Sequence, residues 1–333
     1  MKLRDTYFDI VKAIAMYMVV VWHIMEKNIQ ILSQGGGNFA VSLILGMNMA
    51  VFFVVAGYFA HTTVVECKWH KLLQHLRQYY CPFASISVLF SLLAVCLGTI
   101  CLSQAPLYAL KRFLFAGWFI WALAITYSLS FIGYNMHKWL KCGNGVMWVV
   151  IVYMLTFALP PGLWWIGSVR SMAPHFIIGL FLLRRYQLYK NNWLGMIAII
   201  CYIGMIVAEN VLSPTRITFY GLKTSLIDFA ESPLDILKFL YVAAKGFIGT
   251  IGIMWVVWFF KDNIGFLARY GTETLGVYLV HQWLIDGLDD AGLVPSNLAL
   301  VLMFAVALFL QCHYLVVASK RIPFVGKYIW GRT

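Results

Sequence analysis

Ten apolar runs, most of them near the length needed to cross a bilayer, follow one another along the chain. They lie at about 8–25, 39–60, 81–103, 113–133, 146–160, 172–184, 193–209, 238–260, 269–287 and 297–318. A hydrocarbon core of about 30 Å takes about 20 helical residues to cross. Inside it every backbone N–H and C=O has to be satisfied within the protein, which a helix does by itself. The expected fold is therefore an all-α polytopic membrane protein of about ten transmembrane helices. The runs at 146–160 and 172–184 are short and separated by Pro160, Pro161 and Gly162, so they read either as two spans or as one kinked hairpin. Charge agrees: 25 basic and 13 acidic residues make only 11% of the 333 positions, against about 25% in soluble domains. That deficit excludes a soluble globular domain. With 62% apolar and 17% aromatic residues, disordered, collagen-like and coiled-coil chains are excluded too.

The net charge of +12 does not imply a nucleic-acid partner. Basic residues collect in the cytoplasmic loops of multi-span proteins, and their distribution sets orientation. With the N-terminus inside, the inner segments hold sixteen Lys and Arg and the outer ones seven: Lys27, Lys111, Arg112, Arg170, Arg216, Lys223 and Lys238. Both termini are accordingly expected in the cytoplasm. The outer link holding Asp286, Asp289 and Asp290 has no basic residue of its own. The longest link, 210–237, carries Pro214, Pro233 and several charges, and lies on the outer face. Links of that length in a compact protein serve as lids or as tethers.

Seven scattered cysteines form no CxxC pair and lie mostly inside apolar runs, which argues against both a disulfide framework and a zinc site. The first apolar run carries Asp9 and Lys12 and lacks a small-residue cleavage site, so it is expected to remain as a helix. No internal repeat stands out, which weakens a transporter reading.

An ionisable group in a spanning helix costs about 2.5 to 3.5 kcal/mol on insertion scales, so each one needs a reason. The first run, DTYFDIVKAIAMYMVVVWHIM, is the richest. Lys12 and His23 are eleven residues apart, which at 100° per residue brings them within about 20° of one direction and about 16 Å apart along the axis. Asp9 falls on the same face. Lys12 can snorkel to the headgroups with Asp9 as its i,i+3 partner, and His23 can be an interfacial histidine. As a set, the three also suit chemistry: an imidazole removes a proton from a hydroxyl, and a fixed cation below it holds an anionic group.

This pattern resembles the membrane acyltransferase-3 family, whose first helix carries Arg or Lys, ten residues, then His. The lysine form, FDIVKAIAMYMVVVWH, is closest to the fucose 4-O-acetylase-like branch. FFVVAGYF at 52–59 resembles the family's FFxxSGY, with Ala56 in place of Ser, and the basic stretch Lys68 to Arg77 leading to Pro82 resembles the run before its third helix. GWFIWAL at 117–123, PHFIIGLFL at 174–182 and GTETLGVYLVH at 271–281 match further family segments in order. The resemblance covers nearly the whole chain as one transmembrane acyltransferase domain, 1–333, with 210–237 as a loop within it.

It implies transfer of an acyl group, usually acetyl, from cytoplasmic acetyl-CoA to a hydroxyl of an envelope glycan or lipid-linked sugar outside, in the bacterial cytoplasmic membrane and without a metal. In that reading His23 is the general base, with a transient acyl-histidine as the variant. Lys12 pairs with a CoA phosphate or orients the pantetheine, and Lys71 and Arg77 hold nucleotide phosphates, although basic inner loops are also the membrane default. Glu273 opens the ninth helix, either as a dipole-matched carboxylate or in a catalytic, histidine-orienting role. Thr274, Tyr278 and His281 share a face and read as an interhelical network. Trp118 is either an interfacial residue or a stacking platform for acceptor or acyl chain. Arg170 and His175 lie on the outer side, where Arg170 is a candidate for an anionic acceptor. The rival readings are a proton-coupled exporter of a glycan or lipid precursor, with His23 and Glu273 as relay, and a non-catalytic member of a glycan-assembly complex.

Overall fold

The computed structural model describes residues 6–28, 35–160, 164–212 and 225–330. Each apolar run is realised as helix, and among the described residues there is no strand. The principal helices are α1 (Thr6–Glu26), α2 (Gly35–Leu45), α3 (Asn48–Val65), α4 (Trp69–Cys96), α5 (Trp118–Leu140), α6 (Gly145–Leu155), α7 (Trp164–Ile178), α8 (Asn192–Leu212), α9 (Pro233–Phe260), α10 (Thr274–Asp290) and α11 (Leu298–Arg321).

Eight helices are long and apolar enough to cross a membrane. This is fewer than the ten runs, because Gly145–Ala158 is too short and α10 has only 17 residues. The runs at 146–160 and 172–184 are separate helices, so the kinked hairpin does not form. The basic stretch before the third run is not a loop: α4 begins at Trp69 and carries Lys71 and Arg77 in its first turns, with Pro82 inside the helix. The long outer link is also shorter than expected. α8 runs to Leu212, a short helix Leu226–Glu231 is capped by Ser225 and Asp228, and α9 starts at Pro233. Within that link, 213–224 lie outside the described residues.

α1 and the span Phe39–Val65 form the centre of the bundle, each 72% buried, whereas Asn192–Val211 is 28% buried and stands at the periphery. A helix apolar on all sides has no stripe to orient it, so small residues set the crossings. A Cβ on Gly57 would lie 2.1 Å from the Phe176 carbonyl oxygen, and one on Gly179 would lie 2.0 Å from that of Val54. The two glycines thus bring α3 and the Trp165–Tyr186 span into backbone contact. Gly271 does the same for α1: a Cβ there would lie 1.7 Å from the Asp9 carbonyl oxygen. These glycines stand in three of the segments that carry the family resemblance. Their work is packing, and it delivers α1, α3 and α10 to one place.

Candidate active site

Between α1, α3, α4, α5 and α10 lies a cavity of about 370 Å³. Its walls are mostly aliphatic and aromatic, from Met16, Phe52, Ile120 and Leu123 among others. Lys12, His75, Gln78, Thr272 and Thr274 supply its polar groups. Lys12 lies at its wall with Nζ 2.7 Å from Asp9 Oδ1, and Asp9 is buried beneath it. The i,i+3 partnership read from the sequence is therefore formed, and it leaves the lysine half-buried against the cavity.

Tyr278 of α10 lines the cavity and marks the way toward the other end of α1. Its ring centroid is 5.1 Å from Phe119 and 5.7 Å from His281, and His281 is in turn 5.1 Å from His23. His23 does not line the cavity; Tyr278 and His281 stand between. His281 is buried, and its Nδ1 is 3.1 Å from the Val277 carbonyl. A carbonyl only accepts, so Nδ1 carries the proton and Nε2 is left with its lone pair. That Nε2 is buried with no hydrogen-bond partner among the described residues. His23 Nδ1 is 3.1 Å from Glu26 Oε2, so Nδ1–H donates to that carboxylate and Nε2 is the nitrogen left for another partner. The two imidazole rings thus meet at the end of α1 farther from Lys12.

Glu26 was not singled out from the sequence, although its i,i+3 spacing from His23 signals it. Glu273 does not orient His23. It pairs with Lys320 of α11 at the Lys12 end of α10, eight residues before His281 and so about 12 Å along the helix. The outer acidic link finds its cation in Lys27, whose Nζ is 2.7 Å from Asp286 Oδ1; this contact holds the Lys27 ammonium above its ordinary pKa.

On α4 the cavity is met by His75, Gln78 and Tyr79. Lys71 is half-buried one turn before His75, and Arg77 is exposed outside the cavity wall. Trp118 is half-buried beside Phe119, at 6.1 Å between rings, without itself lining the cavity. Arg170 is not open to the outer surface. It is fully buried, and its Nε and Nη2 donate to the Thr156 carbonyl at 2.9 and 2.6 Å, with Nη2 also donating to Leu159 at 2.6 Å. Those carbonyls lie in the turn that continues α6; that of Thr156 also accepts from Leu159 N–H at 3.2 Å, and the guanidinium ties the turn to α7. His175 is likewise buried, with Nε2 3.2 Å from the Ala243 carbonyl. The structure brings neither residue to the cavity or to the histidine pair.

Sequence reasoning also missed an ion pair inside the bundle. Lys245 of α9 reaches Glu209 of α8 at 2.6 Å, both buried. The signal was present, since Lys245 interrupts the apolar run 238–260 twelve residues into its helix. Among the described residues no cluster of three His, Cys, Asp or Glu is placed to hold a metal ion.

A bundle of apolar helices enclosing a cavity, with a lysine on its wall and histidines beyond its far end, defines a membrane protein with an intramembrane reaction or binding site. The family comparison specifies it: the model described as "Acyltransferase domain" of the acyltransferase-3 family matches residues 5–313, and the chain belongs to that family. The chain is also similar to Nodulation protein NolL of Sinorhizobium fredii, with 23% identity over 208 residues, 57% of this chain and 52% of the relative. It thus spans about half the length of the curated relative it matches. No solved structure matches it.

Proposed function

We propose that the protein transfers an acyl group, in the first instance acetyl, from acetyl-CoA to a hydroxyl of an envelope glycan or lipid-linked sugar across a bacterial cytoplasmic membrane. The observation that carries this reading is the arrangement along α1: a cavity that runs from Lys12 to Tyr278, continued by the ring contacts of Tyr278 with His281 and of His281 with His23. A donor held on one face of the membrane and an acceptor on the other need such a path. The cavity fits the acyl-pantetheine end of the donor, since its walls are apolar and its polar groups are few; the nucleotide stays outside. Lys12 orients that end or holds a phosphate at the mouth, and Lys71 and Arg77, on the same helix as the cavity-lining His75 and Gln78, hold the nucleotide phosphates.

His23 accepts the hydroxyl proton on Nε2 while Glu26 holds Nδ1. The hydroxyl oxygen bonds to the thioester carbonyl carbon, the C–S bond breaks, and the thiolate leaves with the CoA, to be protonated from the aqueous mouth. General-base help of this kind contributes typically 10² to 10⁴ in rate. In this reading the Lys12 end and both termini are cytoplasmic, as the basic inner segments require. Mass spectrometry of envelope glycans from cells with and without the protein tests it: ester-linked acetyl groups are expected to disappear with the protein, and an unchanged ester profile contradicts the assignment.

A further inference from the structure

On the flank of α1 away from Lys12 there is a second recess, of about 310 Å³, open along the side of the bundle. α1 contributes Ala13, Ile14 and Tyr17, and α11 contributes Val306 and Leu310. The segment before α10 contributes Phe266 and Leu267. The recess is bounded at one end by Tyr17, whose hydroxyl donates to the Leu302 carbonyl at 3.0 Å. Tyr270 lines it, and Arg269 stands beside that tyrosine. Arg269 is exposed; it donates to the Tyr270 hydroxyl at 2.6 Å with its guanidinium 4.6 Å from the ring. It forms no ion pair among the described residues, unlike Lys27, Lys245 and Lys320.

An apolar slot that opens sideways, with a cation at its edge that no carboxylate among the described residues pairs with, matches one chemistry in a membrane: an acyl chain joined to an anionic headgroup. We propose that this recess is a binding site for a single anionic phospholipid, with one acyl chain between α1 and α11 and its phosphate on Arg269. Basic pockets between transmembrane helices bind anionic headgroups by this combination. A zwitterionic lipid offers the same chain without the net charge, so Arg269 is what selects. Because α1 forms one wall, the bound chain also packs against the helix that carries Lys12 and His23, on the flank away from the cavity.

Native mass spectrometry of the purified full chain, equilibrated with dioleoyl phosphatidylglycerol or dioleoyl phosphatidylcholine, tests this. The wild-type protein is expected to retain one phosphatidylglycerol in preference to phosphatidylcholine by about fivefold, the ratio given by about 1 kcal/mol for one cation at an anionic lipid. Arg269→Gln is expected to bring the two lipids to equal retention. Val306→Trp, which fills the slot from its half-exposed side, is expected to abolish retention of both. Equal retention of the two lipids by the wild type, or an unchanged preference in Arg269→Gln, overturns the proposal. Undiminished retention in a folded Val306→Trp protein does so too.

Discussion

The imidazoles of His23 and His281 face each other across the α1–α10 interface with ring centroids 5.1 Å apart, and each has its Nδ1 occupied by an acceptor on its own helix. A buried acceptor nitrogen without a donor is costly, so His281 Nε2 marks a place where a donor belongs. In the acyl-transfer reading that donor is a hydroxyl of the acceptor or the newly protonated His23. His281→Leu is expected to lower acetyl transfer about tenfold, the worth of one hydrogen bond of up to about 1.5 kcal/mol. His281→Gln, which keeps an acceptor, is expected to retain part of that factor. Initial rates in membranes with matched protein levels check this, and a His281→Leu protein of full activity would remove the pair from the mechanism.

Lys12 carries two loads that separate experimentally. Its loss takes away the ammonium 2.7 Å from the buried Asp9 carboxylate, which is expected to lower stability. Lys12→Ala is expected to abolish acetylation, with some loss of stability. The double variant Asp9→Asn/Lys12→Met removes both charges of the pair together and is expected to recover stability but not activity. Thermal unfolding in detergent beside acetyl-CoA consumption distinguishes the two. Recovery of both would make Lys12 a structural partner only.

Much of this arrangement was legible in the sequence, and the parts that were not have physical reasons. Apolar runs located the long helices but not short ones such as Leu226–Glu231, because burial in lipid leaves few other readings for long apolar segments only. Asp9, Lys12 and His23 were legible as one face because helical periodicity is fixed. The i,i+3 spacing of Glu26 from His23 was legible too, but choosing it over Glu273 took the packing, which turns Glu273 to Lys320. Arg170 illustrates the opposite error, since an arginine near a loop reads as surface until the carbonyls of a neighbouring helix end are seen to need it. Contacts between helices distant in sequence, such as Glu209 with Lys245, have no periodicity to show them.

Gly57 and Gly179 predict a packing defect rather than a catalytic one. Either glycine changed to Val places side-chain atoms against a backbone carbonyl at a crossing that cannot open locally. Overpacking of this kind costs about 1 to 3 kcal/mol. Gly57→Val is expected to lower the unfolding temperature and the yield of folded protein, with activity per folded molecule less affected. A variant as stable as the wild type would show that α3 and α7 do not meet through these residues.

Arg170→Gln is expected to destabilise the turn between α6 and α7 by about 1.5 to 3 kcal/mol, the range for a hydrogen bond to a charged group. The KM for the acceptor is expected to stay unchanged. A raised acceptor KM with unchanged stability would return Arg170 to the substrate site.

The proposed acyl transfer stands on His23 as its base. Thiol release from acetyl-CoA, coupled to acetylated product, measured on purified wild-type and His23→Ala proteins of equal folded content, tests it most directly. The wild type is expected to consume acetyl-CoA and form product, and His23→Ala to lose at least about 10² of that rate. Full acetyl transfer by a correctly folded His23→Ala protein would contradict the account.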